Sequence, residues 1–171
     1  QNSPPIPTVD EGSTIKIDPQ ILKETVDYVA FAAATEDSRP VLTGIKVEVN
    51  NDDFTFAAAD GFRLAVYQGK LVDSIDDNFE FIIPARSMQE IGRLIGTDSS
   101  PVEFIVTPAG THALFNIGNV EIVSQLMPGS FPNYRSLIPE NYKNQVLADL
   151  SDFTNAVKTA SNSLKFTIFC K

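Results

Sequence analysis

Two periods of apolar residues run through the chain. Every second position is apolar at Ile15 and Ile17, at Ile45, Val47 and Val49, at Phe54, Phe56 and Ala58, and at Phe79, Phe81 and Ile83. That spacing predicts half-buried strands. Three further strands are predicted around 102–106, 112–117 and 120–126, with turns at Pro108-Ala-Gly110 and Gly118-Asn119. The period changes twice. After Asp18-Pro19, an N-cap followed by Pro at the first helical position, Leu22, Val26, Val29, Ala30 and Ala33 share one face of a helix reaching near Thr35. Lys23 and Asp27 fall on its polar side. After Pro84, Met88, Ile91, Leu94 and Ile95 form a second apolar stripe, with Arg86 and Arg93 opposite and Gly96 as the stop. The order is thus strand, helix, three strands or so, then helix and three strands. Such a repeat predicts an α+β domain with pseudo-twofold symmetry, its helices on one face of antiparallel sheets.

Phe54 to Tyr67 reads as two strands about a tight Asp60-Gly61 turn, with Leu64 and Val66 continuing the period. Phe62 and Arg63 follow the turn at once, so an apolar side chain and a fixed charge meet at a surface. Residues 1–12 hold three prolines and no periodicity, and read as a linker or the tail of a preceding domain. The chain does not begin with Met, which suggests a piece of a longer protein. Residues 13–137 read as the central domain and 138–146 as a polar linker. Residues 147–171 read as the incomplete start of another domain: a helix over 147–163 capped by Asp149, with Leu150, Phe153, Val157 and Ala160 inward, then a strand over 164–171.

An apolar share of 43% with 20% charged residues suffices for a core. No apolar run approaches the roughly 18–20 residues that cross a bilayer, and no leader pattern is present, so a cytoplasmic protein is expected. The single Cys170 forms no internal disulfide, and no Cys/His cluster suits zinc. Nothing implies a cofactor. Net charge of −9 argues against general affinity for nucleic acid, which needs clustered Lys and Arg. No catalytic group emerges: Asp60 with Arg63 is a turn pair, Asp52-Asp53 and Asp76-Asp77 are turn acids, Ser130 lacks a nucleophile elbow, and His112 has no partner by spacing.

Four short motifs change the picture. Arg39-Pro-Val-Leu-Thr-Gly44, Ala59-Asp-Gly-Phe-Arg-Leu-Ala65, Ile83-Pro-Ala-Arg86 and Phe131-Pro-Asn-Tyr134 occur in this order. Together they resemble the bacterial replicative sliding clamp, the beta subunit of DNA polymerase III, over about residues 8–163. The resemblance implies the DNA-clamp fold and a non-catalytic role. It implies a ring that encircles duplex DNA, which removes the objection of net charge, since sparse positive charge on the inner wall suffices. The full protein would form a homodimeric ring in a bacterial, nucleoid-associated cytoplasm; this chain alone would be monomeric.

The resemblance also implies two sets of residues. A groove for short linear peptides of the polymerase alpha subunit, the clamp loader and other clamp-binding proteins would involve Leu42, Ala59, Gly61, Phe62, Arg63, Leu64, Pro132, Ser136 and Leu137. The family often has Thr where Ala59 stands, and some members have a basic residue at Ser136. The DNA-facing set would be Lys23, Arg86 and Arg93 on the helices, with Glu36, Arg39, Pro40 and Val41 in a loop at the channel mouth. Some members carry aromatic residues at Pro40 and Val41. Two alternatives remain: a stand-alone β-rich module that binds peptides or proteins outside replication, and a hydrolase of unseen site. A shared exposed face for Lys23, Arg86 and Arg93 would favour the clamp; a buried acid pair in a cleft would favour the enzyme.

Overall fold

The computed structural model describes residues 13–36, 38–96, 100–139, 141 and 143–168, with side chains up to 161. Two compact units are present, residues 1–134 and 135–171. The first contains β1 (Ser13–Ile17), α1 (Pro19–Val29), β2 (Gly44–Asn50), β3 (Asp53–Ala59), β4 (Leu64–Lys70), β5 (Phe79–Pro84), α2 (Ala85–Leu94), β6 (Val102–Val106), β7 (His112–Ile117) and β8 (Val120–Gln125).

These elements form two four-stranded antiparallel sheets, ordered β1-β6-β7-β8 and β4-β3-β2-β5. Each half of the chain lends its first strand to the other half's sheet: Ile15 pairs with Phe104, and Val47 with Phe81. This reciprocal exchange is the pseudo-twofold plan, and it prevents either half from completing its sheet alone. α1 and α2 pack against each other, Gly92 facing Val26. Ile17, Leu22, Val29, Phe56, Met88, Ile91 and Phe104 are buried in one core shared by both sheets. Phe104 and Phe115 meet edge to face at 4.5 Å, the arrangement their ring quadrupoles prefer.

The helix starts follow the sequence. Asp18 Oδ1 accepts from the amides of Gln20 (2.9 Å) and Ile21 (3.1 Å), which satisfies two N-terminal donors. The end of α1 differs from expectation. It stops at Val29 and tightens into a 3-10 turn at Ala30–Ala32. The Ala34 amide is captured by the Leu42 carbonyl at 2.8 Å, so the chain turns away before a helix could reach Thr35. Leu94 is also not in the buried stripe; it is 51% exposed. Ala85, Met88, Gly92 and Ile95 set that stripe, and Leu94 lies about 120° from its centre at about 100° per residue.

In the second unit, α3 runs as one helix over Leu150–Ile168. Asp149 caps it, its Oδ1 accepting from Ser151 and Asp152 amides. The strand expected from 164 is instead helix through 168, because no Gly or Pro interrupts the run; residues 169–171 lie outside the described residues. Leu150, Phe153, Val157 and Ala160 were expected inward but are exposed. Their stripe has the right period, and the described residues of this unit supply nothing to cover it.

Candidate functional site

Strand β3 is buried on both faces. Phe54, Phe56 and Ala58 point into the main core, and Ala57 and Ala59 point outward beneath a second apolar cluster. That cluster joins Leu42, Ala57, Ala59, Ile82, Phe131 and Tyr134, with Leu64 and Val41 packed at its side. The small side chains at 57 and 59 leave room for Leu42 and Phe131 over the sheet. Leu64 and Val66 belong to this outer face, opposite Ala59 and Ala57, and do not continue the period of Phe54 and Phe56. With an even number of residues in the loop, pairing joins odd positions to even ones, so the apolar run changes face across it.

The loop itself is four residues, Asp60 to Arg63, rather than a two-residue turn, because Ala59 pairs with Leu64. Asp60 organises it. Its Oδ1 accepts from the amides of Phe62 (3.0 Å) and Arg63 (3.1 Å), and its Oδ2 accepts from Arg63 Nε at 2.8 Å. The Phe62 amide bond is the main reason the Asp60 carboxyl sits below its ordinary pKa; the Arg63 amide and guanidinium add to it. Gly61 has φ of +95°, and a β-carbon there would lie 3.0 Å from Arg39 Nη2. The positive φ selects glycine, whereas the mobile Arg39 side chain could give way. Phe62 is 99% exposed at the tip. The Arg63 guanidinium stands 5.6 Å over the ring of Phe31, just past α1.

Leu42, Ala59 and Leu64 are therefore brought together, with Gly61, Phe62 and Arg63 on the adjoining loop. Pro132 is exposed between Phe131 and Tyr134. Ser136 and Leu137 lie in the second unit and are exposed, Leu137 by 65%; they are not in the buried cluster. A cavity of about 220 Å³ is lined by Ala34, Glu36, Arg39, Leu42, Asp60 and Phe62. Two residues of the expected DNA-facing set, Glu36 and Arg39, thus stand beside the groove set. Pro40 is exposed, and Val41 leans on the second cluster.

The helical basic residues behave differently. Lys23 and Arg93 flank a groove of about 450 Å³ between α1 and α2, and Arg86 and Arg93 flank a second one of about 620 Å³. All three are exposed, Lys23 on α1 and Arg86 and Arg93 on α2, and Arg93 lines both grooves. Asp27 shares the first groove and Glu90 the second, and Arg93 is ion-paired with Glu90 at 2.5 Å. The two grooves carry both signs, with three cations spread along them.

Residues 16–133 match the family described as DNA polymerase III beta subunit, central domain. The chain belongs to this family. It is 30% identical over 158 residues to the beta sliding clamps of Bacillus subtilis and Staphylococcus aureus, covering 92% of the chain and 41% of each relative. Its fold superposes on the Bacillus subtilis DNA polymerase sliding clamp with a TM-score of 0.76 at 31% identity, covering 81% of the chain and 36% of that one. The beta chain of DNA polymerase III from Streptococcus pneumoniae gives 0.74 at 28% identity, with the same coverage. The chain thus spans about two fifths of the length of the relatives it matches.

In this member of the beta-subunit family, several residues of the site were not visible in sequence. Ala57, Ile82 and Phe31 complete the outer cluster and the loop contact, yet they come from strands and turns far apart in the chain. Ile82 was hidden because Phe81 and Ile83 satisfied the strand period by themselves. Tyr134 is buried and donates its hydroxyl to Glu48 Oε2. Lys46 lies between Glu48 and Glu80, 3.0 Å from each. Burial works to lower its pKa, but bonds to Glu80 and Glu48 outweigh that and hold it above the usual lysine value. Among the described residues no group of three or more His, Cys, Asp or Glu could hold a metal ion. His112 pairs its Nδ1 with the Thr111 hydroxyl at 3.0 Å.

Proposed function

We propose that this chain is the central part of a sliding clamp, with residues 13–137 as its middle domain and 147–171 as the start of the next. The full ring encircles duplex DNA and tethers the replicative polymerase, raising its effective concentration at the primer end. The role is non-catalytic, and its place is the bacterial cytoplasm, at the nucleoid. The observation that carries the reading is the family match across 16–133 together with the shared fold. The alternative of a stand-alone binding module has no such support.

Two surfaces divide the work. The face between α1 and α2, with Lys23, Arg86 and Arg93, meets DNA phosphates loosely, and its acids keep the contact weak and mobile. The outer cluster at Leu42, Ala59 and Leu64, with the Asp60–Arg63 loop as rim, receives the apolar anchors of a partner peptide from polymerase, clamp loader or other clamp-binding proteins. Pro132, exposed between Phe131 and Tyr134 of the cluster, extends it. Such a groove needs an apolar floor and a few polar fixings, which Leu42 and Arg63 supply.

The topological claim is tested with the full-length protein placed on nicked circular DNA by its clamp loader. It should stay with the circle in high salt and be released once the circle is cut. Retention on linear DNA in high salt would mean a gripping contact and would sink the ring mechanism.

A further inference from the structure

Arg63 does more than follow a turn. Its Nε is bonded to Asp60 Oδ2 at 2.8 Å, and its guanidinium carbon stands 5.6 Å from the centre of the Phe31 ring. Phe31 is 57% exposed, a large apolar side chain left at the surface beside α1. Its neighbour one turn earlier, Tyr28, is also exposed and stacks at 6.2 Å on Tyr67 of β4. The two aromatics thus lie along the outermost strand of the sheet, and each meets a residue at or next to that strand. For Tyr28 the contact continues inward, since Tyr67 stacks on the buried Phe54 at 6.4 Å. For Phe31 it ends on a cation.

We propose that Phe31 is a positioning residue for the peptide groove. Its ring face and the Asp60 carboxylate hold the Arg63 guanidinium at the rim. The Nε–H is used by Asp60, and the two Nη groups carry no bond to a described residue, so they are turned to an incoming acceptor. The ligand chemistry this selects is a backbone carbonyl or carboxylate of an extended peptide whose apolar side chains enter over Leu42. A long flexible side chain otherwise loses rotamer freedom on binding. Fixing Arg63 beforehand on a ring and a carboxylate removes part of that cost, which is preorganisation. The proposal rests on the groove reading above and adds a residue to it from outside the groove.

The test is a double-mutant cycle on the full-length protein. A fluorescent peptide with Gln, Leu and Phe anchors is titrated by anisotropy against the wild type, Phe31→Leu, Phe31→Tyr, Arg63→Ala and the double variant Phe31→Leu/Arg63→Ala. Phe31→Leu should weaken binding by about 2- to 5-fold, the size of an exposed cation–ring contact. Phe31→Tyr should keep wild-type affinity. Phe31→Leu should have no further effect once Arg63 is Ala. An equal loss in both backgrounds, or no loss in either, overturns the positioning role while Arg63→Ala still weakens binding. If Arg63→Ala leaves binding unchanged, the groove reading falls and the positioning role with it. The NMR signal of the Arg63 Nε–H gives a check without peptide: it should be sharp and ring-shifted in the wild type and broaden in Phe31→Leu. An unchanged signal contradicts the contact.

Discussion

The two halves of the first unit share one plan and differ at equivalent hairpins. In the second half, β7 and β8 are joined by two residues, Gly118 and Asn119, between the paired Ile117 and Val120. In the first half, β3 and β4 are joined by four, and the two added positions carry Phe62 and Arg63 beside Leu42 and Phe31. The outer faces differ in the same way. That of the β1-β6-β7-β8 sheet mixes the half-exposed Lys16, Glu103 and Asn116, with Lys16 and Glu103 at 3.7 Å, and a partly buried row of Ile105, Leu114 and Val123. That of the other sheet is covered by Leu42, Ile82, Phe131 and Tyr134. A duplicated scaffold thus keeps one shared core and carries the Leu42 cluster on the outer face of one sheet only.

The shared core sets the largest effects. Phe56 and Phe104 are fully buried, one in each sheet. Phe56→Ala and Phe104→Ala should each lower stability by about 3–5 kcal/mol. Equal shifts in the denaturant midpoint are expected. A much smaller loss in one half would mean that the halves do not share a core.

An intermediate effect should be confined to the first half. Tyr134→Phe removes the hydroxyl bonded to Glu48 and should cost about 1–2 kcal/mol. Its readout is the thermal midpoint, and no loss would remove this bond as a tether of the Phe131–Tyr134 segment. The polar pair on the other sheet, Lys16 with Glu103, is solvent-screened; Glu103→Gln should change stability by less than about 1 kcal/mol, read from the same thermal midpoint.

The smallest effect is a pH dependence of the longer hairpin loop. Asp60 has a carboxyl pKa depressed by the Phe62 amide first, then by Arg63. A depressed acid contributes order that is fully present above its unfolded pKa, near 4, and lost as pH falls through the lower folded value. The Phe62 and Arg63 amide signals should therefore stay native at neutral pH and move only below the ordinary carboxylate range. Movement between pH 5 and 7 would place the loop under another group's control.

Much of this asymmetry could be read in the chain, though not all. The strands, both helix starts and the repeat were legible because each carries its own period, with Asp18-Pro19 capping α1 and Pro84 standing just before α2. The outer cluster was half legible. Leu42 and Phe131 stood in motifs, but Ala57 and Ile82 became site residues only because β3 and β5 are buried on both faces, which period-two reasoning does not detect. The face of Leu64 was misread because an even-numbered loop pairs odd positions with even ones, so an unbroken period of two cannot be carried across it. Phe31 was invisible, since its partner is 32 positions away in sequence, from 31 to 63. The exposure of Leu150, Phe153 and Val157 reflects a stripe whose cover is not among the described residues of its unit.

The most direct test compares equivalent outer faces in one binding assay. The labelled peptide with Gln, Leu and Phe anchors is titrated with the full-length protein carrying either Leu42→Ala or Leu114→Ala. Leu114 lies on the outer face of the other sheet, half-buried between Ile105 and Val123. Leu42→Ala should weaken binding by about tenfold or more, as expected for truncating a buried anchor of the site. Leu114→Ala should leave it unchanged. Equal affinity in both variants, or a loss only in Leu114→Ala, would contradict a peptide groove on the Leu42 face.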